Sequence, residues 1–339
     1  MTMRCRLLGV LVMPLLMVVV GCAQRPAPAS PTAPGLGLQV VTTVSPITSI
    51  VENIGGVRIH LEGIVPEGTN SHTFEPAPSV AGALAKADLI IVNGLFLEEP
   101  TLAMAQANKK PGAVILSLGD GTISKDQWAF DFSFPESEGH PNPHLWPDPL
   151  LGLKYAELVE AELSRLDPAN ANYYQENLGK FRQRIEALDA GIRAAVQTIP
   201  PGRRKLLTYH DSWAYFARRY GMEVIGAAQP SDFSEPSAKE VAGLIDQIRQ
   251  QQVPAVFGSE VFPSTVLETI AKEAGARYVD ELRDDDLPGA PGDTLHSYLG
   301  LMLQNMEIMI PALGGTVDSL SGFDASPVFS GASPAIYLQ

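Results

Sequence analysis

One long helical segment, from Asp167 to Ile199, separates two blocks of alternating strand and helix patterns and limits the architectures open to this chain. Asp167 suits the N-cap position, Pro168 suits the first turn, and the run 200–202 (Pro-Pro-Gly) ends the pattern. An apolar stripe recurs at spacings of three and four residues: Tyr174, Leu178, Phe181, Ile185, Leu188, Ile192, Ala195 and Ile199. A helix of roughly 45 Å is long enough to contact two domains. A long surface helix of a single domain fits the same pattern.

Strands alternate with helices on both sides of this segment. The strands are predicted at 38–44, 57–64, 88–92, 113–118, 205–209, 223–227, 254–258 and 277–280. Such alternation predicts an α/β fold in which each half has a mostly parallel sheet covered by helices. We therefore predict an N-terminal lobe at 38–166, a linking helix at 167–199, a C-terminal lobe at 200–320 and a loosely packed, flexible tail at 321–339.

The N-terminus has the pattern of an export signal. Arg4 and Arg6 precede an apolar run at 7–20 that is too short to span a bilayer comfortably. The sequence then reaches Val-Val-Gly-Cys22, which resembles a bacterial lipobox, so we predict a signal peptide at 1–21 and a lipid on Cys22. A plain secretory signal followed by a free cysteine is the alternative. The Pro- and Ala-rich stretch 22–37 is predicted to be an extended tether, and removal of Cys5 leaves no internal disulfide.

The formal net charge of −14 argues against nucleic acid as a partner. An acidic, exported chain of this kind is expected to be a soluble monomer on the extracytoplasmic side of a bacterial membrane, held there by the lipid.

Three histidines stand in loops or at strand ends beside turn residues. His72 follows the second strand, His144 lies among three prolines, and His210 ends a strand of the second half, as Asp280 does. Carboxyl ends of parallel strands border the crevices of open α/β sheets. Three imidazoles and one carboxylate would complete a tetrahedral zinc shell. On spacing alone, however, a hydrogen-bonded loop residue is the commoner role for each histidine.

Several ordered motifs resemble one known family. The motifs are Ser71-His72-Thr73-Phe74-Glu75-Pro76, Asn93-Gly94-Leu95-Phe96-Leu97-Glu98, Asn142-Pro143-His144-Leu145-Trp146-Pro147-Asp148-Pro149, His210-Asp211-Ser212-Trp213-Ala214-Tyr215-Phe216-Ala217, Ser231-Asp232-Phe233-Ser234-Glu235-Pro236-Ser237 and Met302-Leu303-Gln304-Asn305. Together they resemble the zinc and manganese solute-binding lipoproteins of ABC transporters, over about residues 38–314.

The resemblance implies two α/β lobes joined by one long helix, with a metal in the cleft between them. It assigns His72, His144, His210 and Asp280 as the ligands. In this family a histidine at the third position usually accompanies zinc and a carboxylate there accompanies manganese, so His210 favours zinc, and manganese or both metals are the alternative.

Residues 119–143 are predicted to form an exposed loop. Many zinc members of the family carry a His-rich loop there, whereas this stretch has only His140, with Asp126, Asp131, Glu136 and Glu138. A solvated acidic loop is the simpler interpretation, and a weak accessory cation site is the alternative.

Two carboxylates are candidates to orient the metal ligands. Asp211 is predicted either to orient His210 or, as the commoner role, to cap the following helix, and Glu75 is a second candidate beside His72.

The resemblance implies a protein that is not an enzyme. It would capture a divalent metal and deliver it to a membrane permease with a cytoplasmic ATPase. A zinc hydrolase and a surface adhesin are alternatives. No H-E-x-x-H pair supports the hydrolase, and nothing in the chain indicates a receptor-binding module.

Overall fold

Two parallel sheets lie in succession along the chain. The computed structural model describes residues 37–231, 233–261, 264–280, 282–331 and 335–337. The predicted signal peptide, Cys22 and all of the predicted tether except Gly37 lie outside the described residues. No helix in the described ranges has both the length and the apolar composition needed to cross a bilayer.

The first sheet has the order β4-β3-β1-β2-β9, and every pairing in it is parallel. Its strands are β1 (Leu38–Thr42), β2 (Ile59–Gly63), β3 (Leu89–Val92), β4 (Val114–Ser117) and β9 (Ala335–Tyr337). All four residues of β3 are buried, as expected of a central parallel strand covered on both faces.

The second sheet has the order β6-β5-β7-β8 and is also parallel. Its strands are β5 (Lys205–Thr208), β6 (Glu223–Ala227), β7 (Ala255–Phe257) and β8 (Arg277–Val279). The α/β prediction of two parallel sheets is therefore confirmed. Seven of the eight predicted strands are one to three residues shorter than predicted, and β6 matches its predicted range.

Helices connect these strands and cover the sheets. They are α1 (Ser45–Gly55), α2 (Val80–Leu84), α3 (Glu99–Asn108), α4 (Leu118–Thr122), α5 (Pro149–Leu166), α6 (Ala171–Thr198), α7 (Ala214–Tyr220), α8 (Ala238–Gln251), α9 (Thr265–Ala274) and α10 (Tyr298–Ala312). Asp148 caps α5, where its side chain accepts from the amides of Leu150 and Leu151.

The long helix α6 begins four residues later than predicted. Pro168–Asn170 forms a separate 3-10 turn, and Asp167 accepts hydrogen bonds from Asn170 Nδ2 (2.6 Å) and Tyr174 Oη (2.8 Å) instead of capping α6. The predicted apolar stripe is confirmed, because seven of its eight residues are buried and Leu178 packs against the same core. That core continues through both halves, from Val40 in β1 to Phe257 in β7.

The C-terminal segment corrects one prediction. Instead of a loose tail at 321–339, the described part packs on the first lobe and ends in β9, which pairs with the edge strand β2. Ser297 Oγ donates to Ala325 O (2.8 Å), and Val328 N donates to Asn53 Oδ1 (2.9 Å). The chain therefore returns to the first sheet, so α6 is not the only link between the halves. A three-residue strand is too short to show a periodicity in sequence.

Residues 119–143 are only partly the exposed loop that we predicted. Glu136 and Glu138 are exposed, but Ser133 is buried and its hydroxyl donates to Gln229 O (2.6 Å). Asp131 is nearly enclosed as well, and the described residues contain no metal-compatible cluster in this stretch. The loop is buried where its polar groups find partners on the second lobe.

Candidate metal centre

Three imidazoles meet at one point in the cleft. The Nε2 atoms of His72 and His144 are 3.1 Å apart, those of His72 and His210 are 3.3 Å apart, and those of His144 and His210 are 3.0 Å apart. A tetrahedral zinc with Zn–N bonds of 2.0–2.1 Å would hold its nitrogens roughly 3.3–3.4 Å apart. The three nitrogens thus nearly form one face of such a tetrahedron.

Each histidine comes from a loop that starts or ends a regular element. His72 lies in the connection after β2, His144 in the proline-rich stretch before α5, and His210 two residues after β5. His144 and His210 are buried, whereas His72 is partly exposed. Of the three histidines, His72 is therefore the one that is open to solvent.

Two amide side chains fix the orientation of the buried imidazoles. His210 Nδ1 is 2.6 Å from Gln229 Oε1, and His144 Nδ1 is 2.8 Å from Asn142 Oδ1. Since an amide oxygen only accepts, both Nδ1 atoms carry the proton and both Nε2 lone pairs point to the shared centre. Neither amide was predicted from the sequence to have this role. The only signal was the position of Asn142 in the histidine motif.

Asp284 and Asp285 bring carboxylates to the same centre. Asp284 Oδ2 lies 3.6 Å from His210 Nε2, and both aspartates group with His144 at distances that a metal ion spans. Asp284 Oδ2 and Asp285 Oδ1 are buried and accept no hydrogen bond from the described residues. Buried oxygens without a donor are costly unless a cation satisfies them.

The fourth ligand that we expected, Asp280, is not at this point. β8 ends at Val279, and Asp280 is exposed and absent from the metal-compatible clusters of the described chain. The chain runs beyond the strand end before it turns into the cleft at Asp284. The prediction placed the ligand at the carboxyl end of the strand and did not consider the later aspartates at 284–286, although three successive acids after a strand were an available signal.

The two candidate orienting residues differ in position. Glu75 is exposed, and no hydrogen bond to the three histidines is found for it in the described ranges. Asp211 is buried but does not cap α7, which begins after Trp213. Instead its Oδ2 accepts from Ser133 N (3.0 Å), and its carbonyl accepts from Asn142 Nδ2 (2.6 Å). It lies behind Asn142 and so supports His144.

A second buried carboxyl stands against Asp211. Burial and repulsion from the Asp211 carboxylate raise the pKa of Asp131 to about 9. Asp131 also accepts from Asn142 Nδ2 (2.8 Å). One proton is thus retained between the two acids at neutral pH, which lowers the charge behind the imidazoles.

Burial sets the protonation of the candidate ligands themselves. The pKa values of His72 and His144 are held well below the usual range by burial, and repulsion from His210 lowers them further. Burial raises the pKa of Asp284 to about 7, and burial together with the Asp284 carboxylate raises that of Asp285 to about 7. Near pH 7 the two histidines are neutral and able to coordinate.

Aromatic rings cover the exposed side of the cluster. Phe233 stacks on the ring of His72 (centroids 4.5 Å apart, planes 22° apart), and Phe134 lies 5.5 Å from it. A cavity of about 120 Å³ adjoins His72, and Glu138 and His140 are among its lining residues. The two rings reduce the contact of His72 with bulk water.

Comparison with known proteins identifies the family of this chain. The model of the family described as zinc-uptake complex component A, periplasmic, matches residues 40–312. The chain belongs to this zinc-uptake family. Its members are solute-binding proteins and not enzymes.

Relatives in the zinc-uptake family are named for binding different metals. Zinc-binding protein TroA of Treponema pallidum is 31% identical, with 81% of this chain and 88% of that protein covered. Manganese-binding lipoprotein MntA of Halalkalibacterium halodurans is 27% identical, with 89% and 96% covered. Iron-binding protein YfeA of Yersinia pestis is 28% identical, with 81% and 86% covered.

Solved structures of the zinc-uptake family have the same fold. The periplasmic zinc-binding protein TroA of Treponema pallidum superposes with a TM-score of 0.74 at 29% identity, covering 82% of this chain and 99% of that one. A crystal structure of ZnuA gives a TM-score of 0.70 at 28% identity, covering 82% and 100%. The predicted family and fold are thus confirmed.

Proposed function

We propose that this protein captures a divalent transition metal, with zinc as the principal cargo, outside the cytoplasm. The observation that carries the proposal is the convergence of three Nε2 atoms within 3.0–3.3 Å of one another beside the Asp284 carboxylate. In this proposal His72, His144, His210 and Asp284 are the ligands. Asp285 stands beside Asp284 as the alternative donor.

The choice of zinc rests on donor chemistry. Three imidazoles and one carboxylate form a borderline-soft set that suits zinc, whereas manganese favours oxygen donors. His210 is central to this choice, because a carboxylate at that position would give two nitrogen and two oxygen donors. Manganese is the second candidate, since relatives of similar identity are named for manganese as well as for zinc.

Delivery requires a membrane transporter. Named relatives are substrate-binding lipoproteins of metal ABC transporters, which supports a permease and a cytoplasmic ATPase as partners. In the same proposal a signal peptide at 1–21 is removed, and a lipid on Cys22 holds the monomeric protein at the extracytoplasmic face of a bacterial membrane. The stretch 22–37 would then act as the tether.

A hydrolytic role fits the site poorly. A catalytic zinc keeps one position open for water, and four protein side chains around one ion close that position. The site is suited to holding and releasing an ion.

Metal analysis of protein purified from its own host tests the proposal, followed by competition between zinc and manganese. We expect one zinc per chain and a preference for zinc. His210→Ala should weaken zinc binding by more than about 100-fold, because one of four bonds is lost. His60→Ala is the matched control, since His60 is exposed on β2. Equal zinc affinity in both variants, or no metal in the parent, would overturn the proposal.

A further inference from the structure

The loop that carries Asp284 is held by one buried carboxylate. Glu260 Oε1 accepts the backbone N–H groups of Asp284 (3.0 Å), Asp285 (3.1 Å) and Asp286 (3.0 Å). Three successive amides that point to one oxygen require a tight curl of the backbone. Glu260 follows β7, so it fixes this curl to the second sheet.

The other atoms of the same loop reach across the cleft. Ser71 Oγ donates to Asp285 Oδ2 (2.7 Å), Gly68 N donates to Asp286 Oδ2 (2.7 Å), and Trp146 Nε1 donates to Asp284 O (2.7 Å). These three partners belong to the first lobe and lie in the loops of His72 and His144. The curl at Glu260 therefore decides which carboxylate faces the imidazoles and which ones join the lobes.

A second anchor stands just before the curl. Asn305 in α10 accepts from Arg283 N (2.9 Å) and donates to Arg283 O (2.7 Å). With the backbone fixed at Arg283 and at the next three residues, the aspartate side chains have little freedom. Without Glu260, three buried amides would lose their acceptor, and the backbone would turn to satisfy them elsewhere.

We infer that Glu260 is a positioning residue of the metal centre, which acts through the backbone amides at 284–286 to present Asp284 to the three histidines. The inference rests on the proposed function. It gives Glu260 no direct bond to the metal. Its effect is to lower the entropy cost of ordering the Asp284 carboxylate when the ion binds. Other residues that hydrogen-bond to metal ligands and orient them act in the same way.

Zinc competition titrations on the intact protein test this role. We expect Glu260→Ala to weaken zinc binding about 10- to 100-fold. Glu260→Gln should stay near the parent, because the amide oxygen still accepts the three N–H groups. Ser264→Ala is the matched control, since Ser264 caps α9 in the same lobe through Leu267 N (3.2 Å). That variant loses a buried hydrogen bond and should keep its zinc affinity.

Two further measurements separate positioning from general destabilisation. The absorption bands of the cobalt(II)-loaded protein should change in Glu260→Ala and not in Ser264→Ala, because they report the ligand geometry. In a double-mutant cycle of Glu260→Ala with Asp284→Ala, the losses of zinc-binding free energy should be far from additive, since Glu260 acts through Asp284.

The outcomes are distinct. A parent protein that binds no zinc refutes the proposed function itself. A parent that binds zinc, with Glu260→Ala of equal affinity or Glu260→Gln as weak as Glu260→Ala, overturns the positioning role alone. If the alanine variant does not fold, Glu260→Asp decides. Its shorter side chain should pull the 284–286 loop away from the histidines and weaken zinc binding at least about fivefold. Unchanged zinc affinity would overturn the inference.

Discussion

His210 and Asp284 face each other across 3.6 Å, from Nε2 to Oδ2, although 74 positions that include three strands separate them in the chain. The contact places a carboxylate from the end of the second sheet beside an imidazole from its centre. Asp280, which follows β8 directly, is exposed instead.

Substitution of these two aspartates distinguishes the ligand assignments. Asp284→Ala should weaken zinc binding by about 100-fold or more, because it removes the carboxylate that lies 3.6 Å from His210 Nε2. Asp280→Ala should leave the affinity unchanged within about twofold, as expected for an exposed residue. Competition titration against a chromophoric chelator measures both. A larger loss of zinc affinity in Asp280→Ala than in Asp284→Ala would restore Asp280 as the ligand.

The Gln229 side chain should affect the metal centre through His210. Its Oε1 lies 2.6 Å from His210 Nδ1, so Gln229→Leu removes the acceptor that fixes the tautomer. We expect zinc affinity to fall about 10- to 100-fold with little loss of fold. Gln247→Leu is the control, because Gln247 donates to Ile225 O away from the histidines. Equal effects in the two variants would contradict the tautomer argument.

Zinc affinity should rise with pH up to about 7 and then level off. Burial raises the pKa of Asp284 and of Asp285 to about 7, so below pH 7 the metal-free pair holds a proton that the metal must displace. Affinity should then fall about tenfold per pH unit for each proton displaced. His72 and His144 are already neutral there, since their pKa values are lowered. Calorimetry in two buffers counts the protons, and pH-independent affinity between 5.5 and 7 would refute this account.

The two lobes should rotate little on metal release. α6 extends for 28 residues, roughly 42 Å, and one core surrounds it through both halves. The return of the chain to β9 adds a second connection. Metal release should therefore come from rearrangement of the ligand loops. X-ray scattering of zinc-loaded and metal-free protein should give nearly equal radii of gyration, and a lobe rotation of tens of degrees would rule this out.

Deletion of residues 321–339 should lower stability without loss of zinc binding. The segment supplies the β9 ladder, the bond of Ala325 to Ser297 and the bond of Val328 to Asn53 in the first lobe, and none of these bonds involves His72, His144 or His210. At about 1 kcal/mol per buried hydrogen bond, we expect a loss of about 2–4 kcal/mol in unfolding free energy. Urea unfolding measures it, and zinc titration of the same variant is the control. A large loss of zinc affinity would show that the tail also supports the site.

Local chemistry was enough to predict the fold from sequence. Alternating strand and helix patterns, the apolar stripe from Tyr174 to Ile199 and the helix ends marked by proline depend on neighbouring residues, so they are visible in one dimension. The three histidines were candidates because each lies in a short loop beside a strand or a proline-fixed turn, and the family resemblance then assigned them as metal ligands.

The tertiary structure decided the rest, because those features join residues far apart in the chain. The identity of the fourth donor depends on how far the backbone runs past β8 before Glu260 binds its amides. The tautomers of His210 and His144 depend on Gln229 and Asn142, which come from different lobes. β9 finds its place only through the open edge of β2. Sequence determined which residues are able to bind a metal, and the packing of the two lobes determined which of them meet.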